Sequence, residues 1–170
     1  MTIARDLPTQ RLMLRVPNAD DLPAYTAYCA GPRSTFVRGP FSKFEAFDKL
    51  AAMIGHWALR GFGRYTMVHD GAPIGHVGPL SVDDSHAPEF KWTLWNGAAE
   101  GQGFAIEAAR AVRDHLFTAV GWQHMLIRIQ PDNHPSIRLA DRLGAQISND
   151  PAPDWYPGCT TYHLNAQVAA

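Results

Sequence analysis

The run Glu100-Gly-Gln-Gly-Phe-Ala105 constrains this chain more than any other segment, because it joins a strand-like stretch to the most amphipathic helical one. Glycines at such a junction let the backbone curl until several N–H groups converge on one point. The helix behind them adds unpaired N–H donors and a positive dipole end. Phosphate oxygens suit that arrangement. An ordinary strand-to-helix turn has the same glycines, so the surroundings must decide between the two. No lysine follows at P-loop spacing, which argues against nucleoside triphosphate hydrolysis. The glycines follow the fourth strand of the chain, not the first strand of a βαβ unit, which argues against a dinucleotide site.

Around this junction the chain reads as one domain, residues 1–170, of α+β (α/β) class. Residues 11–16 predict a strand, and Asn18-Ala-Asp-Asp21 caps a short helix running to about Ala30. A Gly/Pro-flanked loop over 31–40 precedes Ser42-Lys-Phe-Glu45, which has capping-box spacing. The helix it opens is expected to turn Phe44, Phe47, Leu50, Ala51, Ile54 and Trp57–Ala58 inward. Strands over 64–69 and 74–80 flank Asp70-Gly71, a hairpin turn, and a third strand covers 89–95. A helix follows over 104–120, with Ala105, Ala108, Ala109, Val112 and Leu116 as its apolar stripe. A strand at 124–130, a helix at 135–143 with Gly144 past its end, a proline-rich loop at 151–157 and a strand at 160–164 complete the order.

The bulk numbers narrow the class. At 46% hydrophobic and 18% charged residues, the chain has enough apolar side chain for a proper core. A net charge of −1 offers nothing to a nucleic acid. Cys29 and Cys159 are far apart and outside any CxxC spacing, which suits a reducing compartment. Residues 1–10 lack a signal-peptide core and no eighteen apolar residues run together, so no membrane contact and a cytoplasmic location are expected. The eight histidines form neither HExxH nor a Cys/His cluster, so no metal site is expected.

Two segments make a specific resemblance. Gly101-Gln-Gly-Phe-Ala-Ile-Glu-Ala-Ala109 resembles the pyrophosphate-binding signature of GNAT acetyltransferases. Pro131-Asp-Asn-His-Pro-Ser-Ile-Arg-Leu-Ala-Asp-Arg-Leu-Gly-Ala145 resembles their later cofactor segment. Thr9–Arg15 and Tyr65–Gly78 are similar to the Rim-type branch, the ribosomal-protein N-terminal acetyltransferases and their relatives. Glu100 departs from the Gln or Arg often found at that point of the signature, and it receives no binding role.

The resemblance implies a mixed central sheet with a splayed parallel strand pair, flanked by helices. It implies acetyl-CoA as co-substrate, held by Gly101, Gln102, Gly103, Phe104 and Ala105 at the pyrophosphate. Main-chain groups of Leu94 and Trp95, and the amide of Asn133, would meet the pantetheine arm. Transfer would go directly to a primary amine, a small molecule or a peptide N-terminus, in a ternary complex. Glu89 is the candidate general base, with His76 and His134 in reserve. Ser136 is the candidate proton donor to the leaving thiolate, with Tyr162 as the alternative. A domain that only holds acyl-CoA, as a sensor or scaffold, is the other reading. The resemblance leaves the acceptor, and the choice between monomer and homodimer, open.

Overall fold

The computed structural model describes residues 2–167. Its eight strands form one mixed sheet in the order β1-β2-β3-β4-β5-β6-β8-β7. They are β1 (Asp6–Pro8), β2 (Met13–Arg15), β3 (Tyr65–His69), β4 (Ala72–Leu80), β5 (Glu89–Leu94), β6 (His124–Ile129), β7 (Gln146–Ile147) and β8 (Thr160–Asn165). The helices are α1 (Leu22–Ala30), α2 (Lys43–Arg60), α3 (Phe104–Asp114) and α4 (His134–Leu143).

Local chemistry explains most boundaries. At Asp70-Gly71 both residues take positive φ, 48° and 78°, and the tight turn joins β3 to β4. Ser42 and Glu45 close a reciprocal capping box at the start of α2, and Gly61 ends the helix in the left-handed region. The structure corrects the inward face of α2. Ala46, Leu50, Met53 and Trp57 are buried, whereas Phe44 is 75% and Phe47 57% exposed. Both sets recur at helical spacing, so the neighbour decides between them. Tyr25 and Tyr28 of α1 and Trp95 pack there, and fully buried Ala46 leaves room that a phenylalanine would fill.

The long helix expected over 104–120 divides. After Asp114 the backbone widens into a π-turn over His115–Val120. Thr118 Oγ1 bonds back to the Asp114 carbonyl at 2.6 Å, a contact that competes with the regular ladder. Two strands carried no sequence signal. β1 is a three-residue edge that includes Pro8, and β7 has two residues, too short for any alternation to show.

Every neighbouring strand pair is antiparallel except β5 and β6. These two run parallel and share a single register pair, Glu89 with Leu126. Beyond it they diverge. On one face of the sheet, Tyr65, Met67, Val77, Phe90, Met125 and Ile127 build the main core with Ala108, Ala109 and Val112 of α3. The other face carries His76 and Thr93, and Tyr25 of α1 packs near His76 there.

Candidate active site

The site lies where β5 leaves β6. Antiparallel pairing to β4 aligns Gly75 with Leu94 and Val77 with Trp92. The Trp95 N–H donates to the Ile74 carbonyl at 2.7 Å, so the Trp95 amide faces β4. The alternation of a strand then turns the main-chain groups of Trp92 and Leu94 toward the gap. The Leu94 carbonyl accepts from Arg33 Nε and Nη2 at 3.3 and 3.2 Å. Trp95 points elsewhere: its indole Nε1–H donates to His76 Nδ1 at 2.9 Å, and its ring packs edge-on against Tyr25.

Gly101 and Gly103 follow with φ of 72° and 79°, the left-handed region that favours glycine. Gly103 is the N-cap of α3 and carries no side chain into the space before the first-turn amides. Arg11 braces this turn from the outside. It donates to the Gln102 carbonyl at 2.7 Å and to Glu107, and its guanidinium lies 4.5 Å over the Phe104 ring. Gln102 turns its own amide back onto the Ala98 carbonyl. Glu100 lines the cleft but is paired with Arg33 at 2.7 Å, and that hydrogen bond holds its carboxyl below the usual range.

A cleft of about 880 Å³ runs from this turn through the gap to the far side of the sheet. Leu94, Gly101, Gly103, Phe104, Ala105, Asn133 and Ser136 line it, so seven of the expected residues meet there. Glu89, Trp95, Gln102 and Tyr162 do not line it. Asn133 also caps α4, its Oδ1 accepting from the Ser136 N–H at 3.4 Å. Arg138 and Arg142, one turn apart on α4, line the same end. Their i, i+4 spacing behind Asn133 was the available signal for two cations at the cleft. Arg33, which reaches Leu94 across 61 residues, had none.

At the other end, Glu89 is buried between two cations. Lys91 Nζ lies 2.6 Å from one carboxylate oxygen and Arg128 Nη1 2.9 Å from the other. The arginine contact is an aligned hydrogen bond, whereas the lysine contact is an ion pair without hydrogen-bond alignment. His76 is buried, and desolvation with Arg64 and Lys91 nearby pushes its pKa well below the ordinary 6.5. Because Nδ1 of the neutral ring accepts from Trp95, its proton sits on Nε2. His76 is therefore a donor toward the cleft. His134 is exposed. Tyr162 stands in the main core. Tyr156 and Phe36 meet over the cleft, the tyrosine hydroxyl donating to the Phe36 carbonyl at 3.4 Å. Burial raises the Tyr156 pKa.

Among the described residues no group of three or more His, Cys, Asp and Glu could hold a metal ion, and no helix is long and apolar enough to cross a membrane. Cys29 and Cys159 are both buried free thiols.

The model of the acetyltransferase (GNAT) domain family matches residues 11–146. The chain is similar to an acetyltransferase structure from Agrobacterium tumefaciens, 32% identical, covering 94% of each chain with a TM-score of 0.84. It is 27% identical over 146 residues, 82% of each chain, to the uncharacterized N-acetyltransferase p20 of Bacillus licheniformis. A RimL ribosomal-protein alpha-N-acetyltransferase solved with coenzyme A overlays with a TM-score of 0.78. It is 16% identical and the match covers 94% of this chain and 97% of that one, a likeness of fold alone.

Proposed function

The chain belongs to the GNAT acetyltransferase family, and from that premise we propose that it transfers an acetyl group from acetyl-CoA to a primary amine by direct attack in a ternary complex. The observation that carries this reading is the single β5–β6 register pair beside a glycine-capped helix N-terminus. One cleft thereby joins a phosphate cradle to an open strand edge. The residues present fit the co-substrate: left-handed glycines without side chains, first-turn amides of α3, and Arg138 and Arg142 opposite them.

Acetyl-CoA supplies the activated acyl group as a thioester. The α3 amides and the α4 arginines hold its phosphates. The outward main-chain groups of Trp92 and Leu94, with Asn133, pair with the pantetheine arm. Ser136 lines the same wall and offers a hydroxyl proton to the departing thiolate. The amine must arrive neutral, because its lone pair forms the new C–N bond as the C–S bond breaks. Its surplus proton passes to water, and Ser136 recovers from water the proton it gives the thiolate. Glu89 fits that proton transfer poorly, since both of its oxygens face cations; it serves to position Lys91 and Arg128.

A continuous thiol-release assay with acetyl-CoA and a panel of amines tests the reading. Turnover with at least one primary amine, and a mass gain of one acetyl group on it, is expected. Tight acetyl-CoA binding with no turnover on small amines, amino acids or short peptides would make the chain a holder of the co-substrate instead.

A further inference from the structure

The acceptor end of the cleft carries far more positive charge than the chain as a whole. Net charge is −1, yet Arg64, Lys91 and Arg128 line this end, and the one carboxylate among the cleft's described lining residues, Glu100, is paired with Arg33 beside the glycine turn. Glu89 lies just behind, held by Lys91 and Arg128. Three cations, Arg64, Lys91 and Arg128, thus share one acid and leave a surplus of two positive charges.

Backbone geometry brings the three together. Lys91 faces Gly78 across β4–β5. On the other edge of β4, Tyr65 faces Val77, which sets Arg64 beside Gly78. A Cβ on Gly78 would lie 2.7 Å from the Gly63 carbonyl oxygen and 3.0 Å from Arg64 Cα, so only glycine lets Arg64 pass this close. Arg64 makes no side-chain hydrogen bond and no ion pair with any described residue. Trp155 and Tyr156 close the opposite side, with Arg128 Cζ 5.3 Å from the Trp155 ring centre and Lys91 Nζ 5.9 Å from that of Tyr156.

We infer that this pocket selects acceptors carrying an anionic group, a carboxylate or phosphate, a short distance from the amine to be acetylated. The inference rests on the acetyltransferase reading above. Arg64 is half-buried and lines the cleft, and a bound carboxylate or phosphate supplies two acceptor oxygens in matching geometry for its guanidinium. Burial pulls the Arg64 pKa below its ordinary value. The same field acts on the reacting amine. Nearby positive charge disfavours the ammonium form, so the nucleophile is neutralised without a dedicated base. His76, kept neutral, adds no charge against it. A cationic acceptor meets repulsion at the point where it must dock.

Thiol release is measured with matched acceptor pairs: amino acids against their α-carboxamides, tripeptides with aspartate or asparagine second, and phosphoethanolamine against ethanolamine. The anionic member of at least one pair is expected to show a kcat/KM about tenfold or more above its neutral twin, with no pair reversed. The pair that responds identifies the source of the anion. Arg64→Gln is expected to collapse that ratio through the acceptor KM while the acetyl-CoA KM stays within twofold. Lys91→Met gives the same reading from the other side of Gly78 if Arg64→Gln does not fold. Neutral members matching or exceeding their anionic twins overturn the inference, as does binding of acetyl-CoA with no anionic amine turned over. Failure to bind acetyl-CoA at all overturns the acetyltransferase reading beneath it.

Discussion

Replacing Glu89 by glutamine separates two jobs that a glutamate in this position can do. The side chain is 6% exposed and Arg128 10%, so their 2.9 Å contact is shielded from water, whereas Lys91, at 29%, can rehydrate. Removing one partner of a buried pair costs about 3–5 kcal/mol. Glutamine keeps the shape and one acceptor for Arg128, which retains about 1 kcal/mol of hydrogen bonding. With Lys91 partly wet, the net loss is expected near 2 kcal/mol. At a urea dependence of about 2 kcal/mol per molar, the unfolding midpoint drops by about 1 M. Turnover of the folded variant, on whichever amine the panel identifies, is expected to fall by less than about tenfold. A general base is worth about 10²–10⁴ in rate. An unchanged midpoint, with a hundredfold loss that shrinks as pH rises, would refute the positioning role and make Glu89 the base.

Gly103→Asp places a Cβ where φ is 79° and a carboxylate beside the α3 amides; loss of acetyl-CoA binding is expected in calorimetry, and unchanged affinity in a folded variant would remove the phosphate cradle from the account. Asn133→Ala deletes the α4 cap as well as the proposed cofactor contact, so a stability loss of about 0.5–2 kcal/mol and weaker acetyl-CoA binding should appear together. Ser136→Ala should lower kcat and leave acetyl-CoA affinity intact, as expected for an interaction made only in the transition state; full turnover would transfer proton donation to another group. His76 has a folded pKa well below its unfolded 6.5, so its contribution to stability is complete above about pH 6.5 and declines as pH falls toward the folded value, where the unfolded chain takes up the proton first. His76→Gln should flatten the pH dependence of the urea midpoint across that acidic window, and an unaltered slope would contradict a buried neutral ring.

Order of elements, the Asp70-Gly71 turn, the Ser42–Glu45 box and the glycine turn before α3 were legible because each is decided within a few residues. The buried face of α2 was not. Phe44 and Phe47 look like core by type, but the space beside Tyr25 and Tyr28 admits only the Ala46 stripe, and that is a tertiary fact. Asn133, Ser136 and the glycines reach one cleft, as their motif implies, because they sit at the starts of two helices that both open onto the gap. The resemblance makes Glu89 the candidate general base. Its meaning depends on Arg128, 39 residues away on a strand that touches β5 once. Arg64 lies one residue before β3 and carried no pattern at all. Its significance comes from the missing side chain at Gly78, which no local rule links to it.

The central claim is that the gap between β5 and β6 and the turn before α3 form one acetyl-CoA site, and titration calorimetry with acetyl-CoA tests it most directly. Metal-free protein is expected to bind one equivalent and, at a hundredfold excess over the dissociation constant, to gain about 2.7 kcal/mol of folding stability. NAD and ATP at the same concentrations should give neither heat nor a thermal shift. No heat and no shift with millimolar acetyl-CoA would contradict the account.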